Sequence, residues 1–115
     1  MQPYKRSERL GELILAEISA LVVRNLKDPR LGFVTFTRVE LSDDLRHAKV
    51  FVSILGSEPE KARTLQGLGS ATGYIRRHLG RILHLRYTPE LTFVIDESME
   101  HGARIAQLLR QLHAE

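Results

Sequence analysis

Residues 48 to 55, Ala-Lys-Val-Phe-Val-Ser-Ile-Leu, alternate strictly, with Ala48, Val50, Val52 and Ile54 on one side and Lys49, Phe51 and Ser53 on the other. Successive side chains of an extended chain point to opposite faces, so this spacing fits a strand with one buried face and does not fit a helix. The stretch before it, FVTFTRVEL (33–41), is rich in aromatic and β-branched residues, and the polar SDDLRH (42–47) joins the two. Together they predict an antiparallel hairpin with one face turned to a core.

What covers that face is written on either side. Residues 7 to 26 place Leu10, Leu13, Ile14, Ile18, Leu21, Val22 and Leu26 at helical spacing, with Ser7 as N-cap. The run DPRLG (28–32) stops that helix through proline and glycine. After Gly56, Ser57-Glu58-Pro59-Glu60 forms a capping box with proline in the first turn, and a helix runs on through Ala62, Leu65 and Leu68. Ile75, Leu79, Ile82 and Leu83 make a second helical stripe, with Arg77, Arg81 and His84 opposite and Arg76 on its flank. PELTFVID (89–96) predicts a third strand with Leu91, Phe93 and Ile95 on one face, and Ser98 caps a last helix through Ile105, Leu108, Leu109 and Leu112. The predicted order is α-β-β-α-kink-α-β-α, an α+β fold with helices on one face of a three-stranded sheet. The 115 residues match one domain, 1–115, without repeat or linker.

Between the second and third helical stripes stands GLGSATGYIRRHLG (67–80), with four glycines. A glycine inside a helix costs roughly 0.5–1 kcal/mol relative to alanine, so the cluster needs a reason. A dinucleotide fingerprint is excluded, because a capped helix and not a strand leads into Gly67 and the last glycine spacing is one residue too long. A P-loop lacks its Gly-Lys-Ser/Thr, and Ser70 lacks the first glycine of a nucleophile elbow. A bend, a nucleic-acid-facing turn and close packing against a neighbouring helix remain. A helix starting afresh near Gly73 would offer free amides and a positive dipole end, with Arg76 and Arg77 within a turn. A glycine-marked break between two helices on a three-stranded sheet is also how a K-homology domain holds a nucleic-acid backbone.

Charge favours the nucleic-acid reading. Net charge is +3, but residues 61 to 89 carry six Lys/Arg (Lys61, Arg63, Arg76, Arg77, Arg81, Arg86), two histidines and no acid. That segment contributes +6 and the rest −3. Such asymmetry is the footprint of a polyanion binder, or of a basic face that meets an acidic protein partner. Without cysteine there is neither disulfide nor thiolate metal site, and the five histidines show no helical i,i+4 pair. Asp43-Asp44 and Asp96-Glu97 suit turn and helix-dipole roles. No catalytic constellation, metal or cofactor is therefore expected, and no small-molecule substrate. The N-terminal MQPYKRSERL has no apolar signal core and no run reaches membrane-spanning length, so a cytoplasmic protein is expected.

DPRLGFVTFTRVELSDDLRHAKVFVSILG, then ATGYIRRHLG, then PELTFVIDESMEHGARI resemble the bacterial ribosome-binding factor A family, in order and over nearly the whole chain. The resemblance implies a type II K-homology fold and a non-catalytic small-subunit assembly factor. Such a factor binds the 16S ribosomal RNA of the maturing 30S particle, acts in late maturation and rRNA processing, and leaves before translation. In that family an Ala-x-Gly interhelical kink stands for the G-x-x-G loop, and Ala71-Thr72-Gly73 matches it. Arg76, Arg77 and Arg81 follow the kink as in the family's run, and Lys5, Arg6 and Arg9 match its basic N-terminal end.

To these RNA-binding candidates the charge count adds Arg86, and the position near the hairpin adds His47 and Lys49. Arg76, Arg77 and Arg81 are expected to serve binding and not folding, and Gly73 to hold the kink through a positive φ. With no aromatics spaced as in an RNA-recognition motif, shape and phosphate are the expected determinants. The protein is expected to act as a monomer. A protein–protein adaptor is the competing reading and a small enzyme the third.

Overall fold

The computed structural model describes residues 6–25, 33–98 and 107–112. Its elements run α1 (Arg6–Asn25), β1 (Phe33–Leu41), β2 (His47–Leu55), α2 (Glu58–Ser70), α3 (Thr72–Ile82) and β3 (Glu90–Ile95), and residues 107–112 are again helical. This is the α+β, K-homology type II-like arrangement expected from the sequence. Leu26 and the DPRLG stop lie outside the described residues, as do Ile105 and the two terminal histidines.

The sheet has the order β1-β2-β3. β1 and β2 pair antiparallel, and β3 joins β2 in parallel from His47↔Glu90 to Val52↔Ile95. The strictly alternating strand is thus the central one, and Ala48, Val50, Val52 and Ile54 are all buried. β1 keeps that face by a β-bulge: its register slips between Phe36 and Arg38 and leaves Thr37 as the extra residue. Val34 and Phe36 point inward before the bulge and Val39 and Leu41 after it. The shift of apolar parity in β1 is therefore absorbed by one inserted residue.

α1 lays Ile14, Ile18 and Leu21 on this face, while Leu68 of α2 and Ile75 and Leu79 of α3 complete the core. Each such side chain contributes about 1.5–3 kcal/mol through burial. Gly11 sets the approach of α1, since a Cβ there would stand 2.9 Å from the carbonyl oxygen of Val39. His78 Nε2 lies 3.3 Å from Glu17 Oε2 and ties α3 to α1. α1 already includes Arg6, so Ser7 sits in the first turn and not at the cap position expected for it.

α2 starts as its sequence dictates, with the Ser57 hydroxyl accepting from the Glu60 N–H at 3.3 Å and Pro59 in the first turn. Of its expected apolar positions Leu65 and Leu68 pack on the core and Ala62 does not. Ala62 is exposed and Lys61 and Thr64 are buried, the Lys61 ammonium lying 3.6 Å from Glu58 Oε1. Lys61 therefore adds little to any basic surface.

The kink is built without a left-handed residue. Ala71 alone separates α2 from α3 and has φ −87° and ψ −2°. Its N–H reaches the carbonyls of Gly67 and Leu68 at 3.1 Å, and the Thr72 hydroxyl donates to the Leu68 carbonyl at 3.2 Å. Threonine back-bonding to a carbonyl four residues earlier often bends a helix, and here the Leu68 carbonyl takes the hydroxyl as a second donor beside the Ala71 N–H. Gly73 lies in the first turn of α3, and among the described glycines only Gly56 has a positive φ. The expected positive φ at Gly73 is thus corrected: the break between the helices falls at Ala71, beside the Thr72 back-bond.

Ser98 likewise does not stand at a cap position. It is already helical, and Asp96 Oδ1 accepts from its N–H at 3.0 Å. No described helix is long and apolar enough to cross a membrane.

Candidate nucleic-acid interface

Three separate segments meet in a cleft of about 620 Å³. The first turns of α1 bring Arg6, Arg9, Leu10 and Leu13, the β1–β2 turn brings Asp44, Leu45 and Arg46, and the α3–β3 loop brings His84, Leu85, Arg86 and Tyr87. Four arginines and a histidine thus line one concavity, with Asp44 the one acidic residue among its described lining.

The β1–β2 wall is held by one bond between side chains and two from backbone N–H groups to side chains. The Ser42 hydroxyl donates to Asp44 Oδ1 at 2.6 Å, the Arg46 N–H donates to the same oxygen at 3.1 Å, and the His47 N–H donates to Ser42 Oγ at 3.1 Å. The two bonds to Asp44, the Ser42 hydroxyl first, hold its carboxyl below the usual aspartate range. The Glu90 N–H donates to the Arg46 carbonyl at 2.8 Å and fixes the turn to the start of β3.

The other wall comes from the end of α3. Leu85 N–H reaches back to the Gly80 carbonyl at 3.2 Å, and His84 takes φ +53°, the left-handed position that commonly closes a helix. Leu45 has φ +62°, and these two are the only non-glycine residues with positive φ among those described. Each costs about 1 kcal/mol or more, and both lie in the cleft. Between the walls Tyr87 is 66% exposed, with Arg46 Cζ at 5.6 Å and Arg86 Cζ at 5.9 Å from its ring centre.

The candidate residues separate accordingly. Arg6, Arg9 and Arg86 converge in the cleft. Arg77 and Arg81 are exposed on α3, Arg81 in its last turn shortly before the loop. His47 lies 3.8 Å from Glu90, and Lys49 is exposed on the outer sheet face, opposite Glu40 in the strand register. Neither is in the cleft. Lys5 lies outside the described residues.

Arg76 requires a correction. Its Nε donates to the Pro89 carbonyl at 3.0 Å and its Nη2 to the Thr88 carbonyl at 2.9 Å, so this half-buried side chain fastens α3 to the approach of β3. It serves folding. Three cleft residues, Arg46, His84 and Tyr87, are not among the binders that sequence reasoning singles out. Arg46 adjoins the alternating strand and Tyr87 adjoins Arg86, and those neighbours are the signals available.

Chemically, the cleft suits anions. Guanidinium groups bind phosphate oxygens through paired N–H donors, and an exposed ring beside them adds an apolar face. Among the described residues no three His, Asp or Glu side chains are grouped to hold a metal ion.

A family model described as ribosome-binding factor A matches residues 6–109. A ribosome-binding factor A from Halothermothrix orenii is 53% identical over 96% of this chain and 91% of its own length. The crystal structure of ribosome-binding factor A from Thermus thermophilus superposes with a TM-score of 0.68 at 26% identity, covering 80% of this chain and 97% of that one. A second Thermus thermophilus structure, a homology model fitted into a cryo-EM map of a complex between the 30S particle and ribosome-binding factor A, gives 0.57 at 29% identity, over 78% and 90% of the two chains. The chain belongs to the ribosome-binding factor A family.

Proposed function

We propose that this member of the ribosome-binding factor A family is a non-catalytic assembly factor that binds the 30S subunit through its 16S rRNA during late maturation and rRNA processing. It acts as a cytoplasmic monomer whose one domain spans residues 1–115. The observation that carries the reading is the convergence of Arg6, Arg9, Arg46 and Arg86 in one cleft, whose one described acidic residue, Asp44, is already engaged by Ser42 and the Arg46 N–H. Several guanidinium groups on one concave surface fit a folded polyanion, and the exposed Arg77 and Arg81 extend the basic surface along α3. Their contacts position the protein by phosphate and shape.

Sedimentation of the tagged full chain through a sucrose gradient with small subunits tests this. Cosedimentation that nuclease treatment abolishes supports the proposal. Association with an acidic protein that survives nuclease assigns the basic cleft to a protein partner and overturns it.

A further inference from the structure

We infer that Tyr87 forms a stacking subsite for one unpaired nucleobase, whose flanking phosphates rest on the cleft arginines. The inference builds on the RNA-binding reading above and adds a preference for single-stranded nucleotides.

Tyr87 is the most exposed of the described aromatic rings, at 66%. A large ring is left in water only at some cost, and it is left here between two guanidinium groups, Arg46 and Arg86, each within 6 Å of its centre. The other described rings lack that combination. Phe51 carries Arg38 at 4.0 Å over its face and is half-buried, Phe36 and Phe93 pack into or against the core, and Tyr74 lies outside the cleft. The cleft volume of about 620 Å³ lies within the range of small-molecule sites, so one nucleotide can enter it.

Both walls carry the left-handed residues Leu45 and His84, and such strained positions cluster where ligands are held. Leu10, Leu13, Leu45 and Leu85 supply an apolar lining beside the ring, and Arg6 and Arg9 supply charge from the opposite element. Phosphate binding alone needs the charges and not the ring. Aromatic stacking on a basic track is how single strands are held without sequence readout, because every base offers a π-face.

The test compares the full-length parent with Tyr87→Leu and Tyr87→Phe. The probes are an oligouridine of roughly eight nucleotides, which is within the span such surfaces cover, and an abasic ribose-phosphate strand of the same length and charge. We expect Tyr87→Leu to weaken oligouridine binding about tenfold to a hundredfold while the abasic strand changes far less, and Tyr87→Phe to keep the parent's discrimination between the strands. Unfolding midpoints matched to the parent show that the loss is local. Equal binding of both strands by the parent, or oligouridine binding unchanged in Tyr87→Leu, overturns the subsite while leaving phosphate recognition of RNA intact. Failure of the parent to bind either strand or the small subunit overturns the RNA reading with it.

Discussion

Arg76 Nε donates to the carbonyl oxygen of Pro89 across 3.0 Å, joining the middle of α3 to the residue that precedes β3. Its Nη2 makes a parallel bond to the Thr88 carbonyl at 2.9 Å. Hydrogen bonds from a charged donor contribute about 1.5–3 kcal/mol, and a half-buried carbonyl left without a partner adds to the loss. Arg76→Ala should therefore destabilise the fold by about 1.5–3 kcal/mol in urea unfolding. Arg76→Lys should recover little, because an ammonium cannot present two N–H groups in a fixed fork. Arg77→Ala and Arg81→Ala, at exposed positions of the same helix, should each stay within about 0.5 kcal/mol of the parent. Equal unfolding midpoints for all three alanine variants would remove the distinction.

Two glycines in helices should respond with opposite signs. A Cβ at Gly73 meets nothing nearer than Arg77 Nη1 at 3.8 Å, and the residue is not left-handed. Gly73→Ala should stabilise by about 0.4–1 kcal/mol, chiefly by restricting the unfolded chain. At Gly11 the same methyl group would stand 2.9 Å from the Val39 carbonyl oxygen, a backbone atom of β1. Gly11→Ala must push α1 off the sheet and should cost about 1–3 kcal/mol. Thermal unfolding of the two variants checks both signs, and a destabilised Gly73→Ala would restore a strained glycine to the kink.

Acid should act on stability through Asp96. The Ser98 hydroxyl, the Thr37 hydroxyl 2.7 Å from Oδ2 and the Ser98 N–H lower its pKa from 3.8 to about 2. A carboxyl whose folded pKa is depressed adds stability that is fully present above its unfolded value and lost as pH falls through the folded one. The contribution should be constant above about pH 4 and vanish between there and about pH 2. Asp96→Asn should be less stable than the parent at neutral pH, and the two urea midpoints should converge as pH approaches about 2. A constant gap across that window would assign the loss to packing instead.

The hairpin was legible because a period of two has one structural meaning, and Ala48, Val50, Val52 and Ile54 obey it without exception. The bulge was not read, because the change of parity from Val34 and Phe36 to Val39 and Leu41 shows as one only once the register with β2 is known. Nor was the role of Arg76, since its partners are main-chain carbonyls that no residue type advertises. Counting charge along residues 61–89 credits Lys61 and Arg76, which the fold turns inward or employs, and passes over Arg46. The cleft joins residues near 6, 45 and 86, and only the pairing of β3 with β2 brings the last two together. Gly11 is unremarkable as a helical residue until Val39 stands beside it.

Salt dependence reads the cleft directly. If Arg6, Arg9, Arg46 and Arg86, with the exposed arginines of α3, neutralise roughly five phosphates, the log–log slope of affinity for single-stranded RNA against salt should be about −3 to −4. Each lost phosphate contact flattens that slope by about 0.7. Replacing Arg6 and Arg9 together with glutamine should therefore flatten it by roughly 1 to 1.5 while weakening binding at every salt concentration. Both side chains project from the first turns of α1 at exposed positions, so the unfolding midpoint should hardly move. Lys49→Gln, on the outer sheet face opposite Glu40, should leave the slope unaltered. A parent slope near zero, or a slope that responds to Lys49 and not to Arg6 and Arg9, would move the phosphate contacts away from the cleft.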